Sequence, residues 1–480
     1  GRAAAQAAQR RRARRAGFMR RIAFLPLLAA LAACTVGPDY RRPEMPLPAG
    51  YGENAQAGAV ALALDWWKLY RDPALDELVA AARKSNADVR LAAARVQEAE
   101  GALREARAAI FPDVTGSYGY SRQRVSTVAS PPVPAGLPIV RPNHTLAAST
   151  SFEVDFWGRF GRASEAARAN LLGTQLARDV VDLTLAGAVA QAYFALRSLD
   201  SQIVVLDNTI RGRRDSLEIT RARAQAGLAA DLDVYQAQAA LADALAQKRD
   251  AERNRALVAH QLAQLAGRLD LKLAAGDVFA LPLAPLPPPG LPSALLDRRP
   301  DIRQAEEALV AANAQIGIAR AALFPTLSLT GQAGVQSADL NNLLTSGAGI
   351  WTVGFGLALP LFDAGRRQAR VDQAQARREQ AVANYQRAVE TGFREVADAL
   401  VNVQQTGEGE AELLERLQAA RNALELSTLR YQAGYSFYLE VLDAQRTAND
   451  AELAFVRNRQ ARLAFSVDLM KALGGGWKAD

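Results

Sequence analysis

The sequence predicts a mainly α fold with membrane β, laid out as two internal repeats that each supply two strands, one rod-like helix and its return helix. Three observations predict it. Asp88-Val89-Arg90, Ala99 and Phe111-Pro112 recur at Asp301-Ile302-Arg303, Ala312 and Phe324-Pro325, every match displaced by 213 positions. Gly158-Arg159, Gln225-Ala226-Gly227, Leu232, Val234 and Ala237-Gln238 recur at Gly365-Arg366, Gln432-Ala433-Gly434, Leu439, Val441 and Ala444-Gln445, displaced by 207. Apolar residues step at a coiled-coil period through two long proline-free spans and at period two ahead of each. Two long copies exclude an array of short solenoid repeats. The drop in offset puts one length change between Pro112 and Gly158.

Residues 1–33 read as an upstream extension followed by a lipoprotein signal peptide. They hold eight Arg and no acidic residue, so the net charge of +7 becomes −1 without them. The basic run in residues 10–15 precedes Met19 and is taken as translated upstream of the true start, not as a nucleic-acid patch. From Met19 the order is Arg20-Arg21, an apolar stretch from Ile22 to Ala33 too short to span a bilayer, and Cys34. Leu31-Ala32-Ala33-Cys34 resembles a bacterial lipobox. Cys34 is therefore the expected lipidation site, carrying diacylglycerol and an N-acyl chain, a set of chains sufficient for a firm anchor. Thr35 in place of an aspartate points to the outer membrane.

Cys34 is the only cysteine, so no intrachain disulfide is possible. His144 and His260 show no metal-ligand spacing. There is no P-loop, nucleophile elbow or dinucleotide fingerprint, and Gly354-Phe355-Gly356 is only a glycine pair in a strand-like stretch. No enzyme activity, catalytic residue, metal or cofactor beyond the lipid is expected.

Segment 34–84 follows the signal as an N-terminal lipid-anchored linker. Repeat 1 covers 85–267, with a helix, a strand hairpin over 113–156, a long helix over 162–226 and a return helix over 231–267. A Pro-rich linker over 268–298 leads to repeat 2 over 299–473. That repeat has a helix, a strand hairpin over 326–360, a long helix over 366–433 and a return helix over 437–473. Residues 474–480 form a C-terminal tail. Both rods fall where proline is absent, between Pro142 and Pro282 and after Pro360. Leu185, Val189, Ala192, Leu196, Leu199, Ile203, Leu206 and Ile210 step alternately by four and three, a repeat that predicts left-handed supercoiling. Val389, Phe393, Val396, Leu400 and Val403 repeat the pattern, then less cleanly Leu414, Leu417 and Leu424. At 1.5 Å per residue the rods are about 97 and about 102 Å long.

In the second hairpin Leu327, Leu329, Gly331, Ala333 and Val335 alternate with Thr326, Ser328, Thr330, Gln332 and Gly334. Trp351, Val353, Phe355, Leu357 and Leu359 alternate with Thr352, Gly354, Gly356 and Ala358. In the first, Val114, Tyr118 and Tyr120 oppose Thr115, Ser117 and Ser121, and Leu146, Phe152, Val154 and Phe156 oppose Ser149, Ser151, Glu153 and Asp155. Strands of about ten residues with one apolar and one polar face suit lipid outside and water inside. Four strands cannot close a membrane barrel, and open edges are not tolerated in lipid. The chain is expected to oligomerise: two copies give eight strands and three give twelve, and the larger ring leaves room for a channel.

These residues resemble the outer-membrane factor family of tripartite efflux systems, the TolC and NodT type. The resemblance rests on the lipobox followed by Val36-Gly37-Pro38-Asp39-Tyr40 and Pro43, and on Trp66-Trp67 with Asp72-Pro73 and Leu75. Arg299-Pro300-Asp301-Ile302, Phe324-Pro325, Tyr431-Gln432-Ala433-Gly434 and Leu442-Asp443-Ala444-Gln445 complete it. It implies a homotrimer with a twelve-stranded β-barrel in outer-membrane lipid, an α-barrel of coiled-coil helices crossing the periplasm, and an equatorial belt from segments 34–84 and 268–298. Implied partners are a periplasmic adaptor (membrane fusion) protein and an inner-membrane pump of the resistance-nodulation-division type, with no nucleic acid. The implied function is a passive export duct for small molecules such as drugs. A duct of a type I peptide or protein secretion system shares the fold, and a lipidated stalk or adhesin shares the rods but not the strands. Only Met45 and Met470 remain in the mature chain, so a methionine ladder for copper or silver is absent.

Gly227 and Gly434 end the rods at helix-tip turns. Acids follow each turn: Asp231 and Asp233 in one copy, Glu440 and Asp443 in the other. Asp231 is read as a helix-start residue stabilised by the dipole, and Glu440 and Asp443 as members of a charged ring favouring cations. By the resemblance, the tips form the periplasmic mouth, Tyr431 stands at a closed-gate tyrosine and Asp233 at its acidic partner. Ser436 stands where some relatives carry an arginine, so closure is expected to rest on packing of Tyr431, Phe437 and Tyr438. Trp66 and Trp67 are packing anchors.

Overall fold

The computed structural model describes residues 35–48, 50–51, 63–128, 134, 136, 138–285 and 292–476. The signal segment, Cys34 and most of the Pro131 to Pro138 stretch lie outside the described residues. Two compact units divide the chain: Gly1–Pro43, Gln97–Leu172 and Glu306–Ala383 form one, and Glu44–Val96, Gly173–Ala305 and Asn384–Asp480 the other.

In chain order the elements are α1 (Pro73–Ser85), α2 (Ala87–Ala108), β1 (Asp113–Arg124), β2 (Val140–Val154), α3 (Arg159–Gln225), α4 (Asp231–Leu265), α5 (Leu295–Arg298), α6 (Pro300–Ala321), β3 (Thr326–Ser337), β4 (Gly349–Ala358), α7 (Arg366–Gln432) and α8 (Tyr438–Ala472). Helices α3 and α7 have 67 residues each, about 100 Å of rod. Both return helices have 35 residues. Helix α3 begins three residues ahead of the expected start, because Gly158 turns at φ 73 and the Asp155 carboxylate accepts the Gly161 N–H at 2.9 Å. The linkers are not irregular throughout. Segment 34–84 contains α1, whose start is set by Asp72 accepting from Ala74 N (2.8 Å) with Pro73 at the first turn. The Pro-rich linker contains a short helical turn at Val278–Ala280 and α5.

In the first unit the four strands form one antiparallel sheet in the order β1-β2-β3-β4. Its rows match the alternation: Phe152↔Leu329↔Phe355 and Ala148↔Ala333↔Trp351 lie on one face. Phe156 and Leu359, expected in strands, lie past the ends of β2 and β4. The first hairpin pairs from Asp113↔Ser151 to Arg124↔Val140, the second from Thr326↔Ala358 to Val335↔Gly349. The length change therefore lengthens both the paired arms and the turn of the first hairpin.

Residues 35–43 lie as an extended strap on this unit, and the motif behind Cys34 is its fastening. Val36 N–H donates to Trp157 O (3.1 Å), and Asn313 donates to Pro38 O (2.8 Å). Asp39 pairs with Arg162 at 2.7 Å. Gly37, at φ 118, packs so closely on Gly317 that a Cβ would stand 2.5 Å from its Cα. Buried Glu306 accepts from Tyr40 Oη (3.0 Å) and from two nitrogens of Arg42 (2.7 Å each). Trp157 stacks on Phe324 at 4.5 Å and donates Nε1–H to Pro325 O at 2.7 Å, which explains the Phe-Pro break.

The second unit holds the largest core. Trp66, Trp67 and Tyr70 pack with Leu75, Leu78 and Val79 against Val189, Tyr193 and Phe194 of α3, so the tryptophans are packing anchors. Six of the eight heptad residues of α3 are buried, and Leu199 and Ile203 half-buried. On α7 the stripe holds at Val389, Val396 and Leu417 but Leu414 is exposed, where the sequence stepping also falters. Arg299 is buried and holds Asp301 (2.7 Å), Glu395 (2.7 Å) and Ala472 O (3.1 Å), which accounts for the Arg-Pro-Asp motif. Tyr193 donates to Asp72 at 2.6 Å, and burial pushes its pKa up to about 12.

Candidate functional site

Two places answer to the expected function, one in each unit. The first is the sheet face. Trp351 and Phe355 are 78% and 77% exposed, and Val114, Tyr118, Val353 and Leu357 are exposed beside them. Exposed as it is among the described residues, this face is an apolar patch of the kind that marks a membrane or partner surface. The opposite face carries Thr115, Ser117, Ser149, Ser151, Ser328, Thr330, Gln332 and Thr352. Strands β1 and β4 each have one unpaired edge.

The second place is the pair of helix tips. Gly227 and Gly434 take φ 67 and φ 85, where a side chain is strained. Leu228 N–H donates to Arg223 O and Tyr435 N–H to Arg430 O, both at 2.8 Å, closing the rods with the same left-handed cap. Helices α4 and α8 then start without side-chain caps, at Ala230 and Phe437. Asp231 and Asp233 in one first turn, and Glu440 in the other, act on those free N–H groups only through the dipole.

Behind the turns lies a small core of Leu217, Ala237, Tyr431, Tyr438 and Val441. Tyr431 and Tyr438 are 5% and 1% exposed and meet edge to face at 5.5 Å. Burial pushes the Tyr438 hydroxyl up to about 12, helped by the nearby Tyr431 and Asp233 and opposed by Arg213. Phe437, expected to join this packing, is 82% exposed, because it precedes the first turn of α8 and points away from the core. The Tyr431 hydroxyl donates to Thr220 at 3.4 Å, not to Asp233, which is half-buried. Glu440 stands 4.0 Å from Arg430 and Asp443 2.8 Å from Arg446, so both acids read as ring members have a cation beside them.

Sequence reasoning missed Arg223. From the last turn of α3 its Nη1 donates to Tyr431 O (3.0 Å) and Gln432 O (3.2 Å), the terminal carbonyls of α7, and its guanidinium lies 4.8 Å over the Tyr431 ring. Nearby, Arg213 donates to Ala240 O and to Asp243, and Gln445 donates to Ser216 at 2.7 Å. The Arg223 and Gln445 contacts tie one helix hairpin to the other, whereas those of Arg213 join α3 to α4 within the first. A signal existed: an arginine stands four residues before the closing glycine in both copies, Arg223 and Arg430. Among the described residues no group of three or more His, Cys, Asp or Glu is placed to hold a metal ion.

The comparisons with known proteins agree with this geometry. The profile of the family described as outer membrane efflux protein matches residues 78–268 and again 291–475. The toluene efflux pump outer membrane protein TtgF of Pseudomonas putida is 35% identical over 472 residues, covering 94% of this chain and 96% of that protein. The cation efflux system protein CusC of Escherichia coli is 33% identical, covering 95% and 98%. The crystal structure of the open state of the Neisseria gonorrhoeae MtrE outer membrane channel superposes with a TM-score of 0.82 at 30% identity, covering 93% and 99%. With its exposed apolar sheet, its paired rods and these matches, the chain belongs to the outer membrane efflux protein family, a family of channel proteins of the Gram-negative outer membrane that extend into the periplasm.

Proposed function

We propose that three copies of this chain form a passive export duct, with twelve strands closing a β-barrel in the outer membrane and the coiled-coil helices of six near-equivalent repeats forming an α-barrel in the periplasm. The sheet carries the reading. Its outward face is apolar, and its two open edges would leave unpaired backbone groups that each cost several kcal/mol in lipid. Pairing β1 of one copy with β4 of the next removes that cost. Anchoring through a diacylglyceryl and N-acyl Cys34 rests on the lipobox, and Thr35, the residue that follows it, packs on Gly158 just past β2.

The tips form the gate. Arg223 takes the place of the missing arginine at Ser436, holding the end of α7 while Tyr431 packs on Tyr438. The acids Asp233, Glu440 and Asp443 set the charge of the mouth. Exposed Leu228, Tyr235, Tyr435 and Phe437 provide apolar surface for a periplasmic adaptor, and a pump of the resistance-nodulation-division type in the inner membrane selects the cargo. The pump-component names of the relatives favour small-molecule efflux over peptide export.

The test is reconstitution of the full chain in planar bilayers with its mass measured in detergent. A trimer with discrete conductance steps is expected. A non-conducting monomer overturns the reading. Cys34→Ser is expected to abolish incorporation of labelled palmitate.

A further inference from the structure

The first hairpin carries a basic cluster that conduction does not use. Between Asp113 and Glu153 the chain has three arginines, Arg122, Arg124 and Arg141, and no acidic residue. The second hairpin, from Thr326 to Ala358, has one aspartate, Asp339, and no Lys or Arg. Register gathers the three at the turn end of the sheet, in the successive pairs Arg122↔Pro142, Gln123↔Arg141 and Arg124↔Val140. Side chains alternate along a strand, so Arg122 and Arg124 share a face with Tyr118 and Tyr120. Through Tyr118↔Leu146↔Val335 this is also the apolar face of Trp351 and Phe355.

Along that face the residues run in order of polarity. The apolar rows give way to Tyr118 and Tyr120 around His144, with Tyr118 Oη 2.9 Å from His144 Nδ1, and the guanidinium groups follow. From Leu327 to Ser337, the row of His144, a strand of about 3.3 Å per residue tilted by about 40° rises about 25 Å, the height of a barrel's apolar band. Arg122 and Arg124 therefore stand at headgroup depth on the side of the hairpin turns. Arg141 donates to Pro138 O at 3.0 Å, whereas Arg122 and Arg124 have no acceptor among the described residues. Two like charges on one face repel unless an anion joins them, and a guanidinium fork matches phosphate oxygens.

We propose that Arg122 and Arg124 bind the phosphate groups of outer-leaflet glycolipid, with Tyr118, Tyr120 and His144 as the collar beneath. The proposal rests on the barrel reading, in which this face meets lipid. In a closed ring β1 adjoins the next copy's β4, whose hairpin brings Asp339. One carboxylate against three guanidiniums leaves charge for the lipid.

The experiment measures binding of fluorescent lipid A, and of its dephosphorylated form, to the full-length protein in phosphatidylcholine nanodiscs. Substituting R122Q together with R124Q is expected to weaken lipid A binding about twenty-five-fold, a factor of about five for each arginine. Dephosphorylated lipid A is expected to bind the unsubstituted protein as weakly as lipid A binds the variant. Equal binding of the two lipids overturns the proposal, and this comparison needs no variant to fold. Displacement of lipid A by millimolar inorganic phosphate also overturns it, since the site would then serve free anions. Conductance of the same preparations in planar bilayers separates the two readings. Intact conductance without phosphate preference rejects the site alone, and absent conductance rejects the barrel.

Discussion

Replacing Arg223 with alanine is predicted to unlatch the tips. Its Nη1 makes a charge-assisted bond to Tyr431 O at 3.0 Å and a longer one to Gln432 O at 3.2 Å, and its guanidinium faces the Tyr431 ring at 4.8 Å. A bond to a charged group is worth about 1.5 kcal/mol at the low end of its range, appropriate to a half-buried side chain. The ring contact adds about 0.5 kcal/mol. The favourable position at a helix C-terminus adds a few tenths of a kcal/mol. A net loss of about 2 kcal/mol per copy shifts the closed-to-open ratio about thirtyfold. If three latches release together, the shift is on the order of 10⁴. The assay is open probability of single channels at fixed voltage. Arg223→Lys keeps the charge but loses the fork, and falls between. Thr220→Val removes the 3.4 Å bond from Tyr431 and the intrahelical bond from Thr220 Oγ1 to Ser216 O (2.8 Å) but leaves the Arg223 contacts in place, and stays near the unsubstituted value. The latch is refuted if Arg223→Ala stays as closed as the parent, or if Thr220→Val opens as much.

Three further outcomes follow from the same geometry. Glu440→Gln with Asp443→Asn leaves Arg430 and Arg446 uncompensated, so the reversal potential under a salt gradient shifts toward anions; an unmoved potential removes these acids from the selectivity of the mouth. Tyr438, held at about 12 against an ordinary 10, favours the folded tip fully below pH 10 and loses that contribution as pH rises to about 12. Tyr438→Phe is expected to flatten this alkaline loss in a thermal-melt series, and because the buried hydroxyl has no partner it costs little at neutral pH. At Gly334 a Cβ would stand 2.3 Å from Leu146 O and 2.5 Å from Ala147 Cα, so Gly334→Ala is expected to break the β2–β3 pairing and abolish the proposed trimer, read as its mass in detergent. Gly347→Ala, with nothing within 4 Å, serves as the tolerated control, and equal behaviour of the two variants refutes the argument.

Periodicity was enough for the sheet. A period-two pattern leaves only two faces, and pairing puts Trp351, Val353 and Phe355 together on the apolar one. Glycine and proline punctuation bounded the rods to within three residues, since Gly158 turns the chain into α3 and Gly227 and Gly434 close α3 and α7, all at positive φ. Helix α1 has a local start signal in Asp72-Pro73 that the reading of segment 34–84 as a linker does not use. The resemblance motifs carry packing: strap fastening at Gly37 and Asp39, a cap at Asp72 and a buried ion cluster at Arg299.

By itself, then, the chain determined the length of its rods, the alternation of its strands and the turns at the tips, all properties of local backbone preference and period. Only the tertiary structure decided which side chains meet. Arg223 and Arg430 occupy equivalent positions, yet one holds the end of the other hairpin's rod while the other lies beside Glu440. Tyr431 reaches Thr220 instead of Asp233, and Phe437 faces outward while Tyr438 is buried. The reason is geometric: period specifies which residues share a helix face, but a partner 208 residues away is chosen by the rotation and stagger of two packed hairpins.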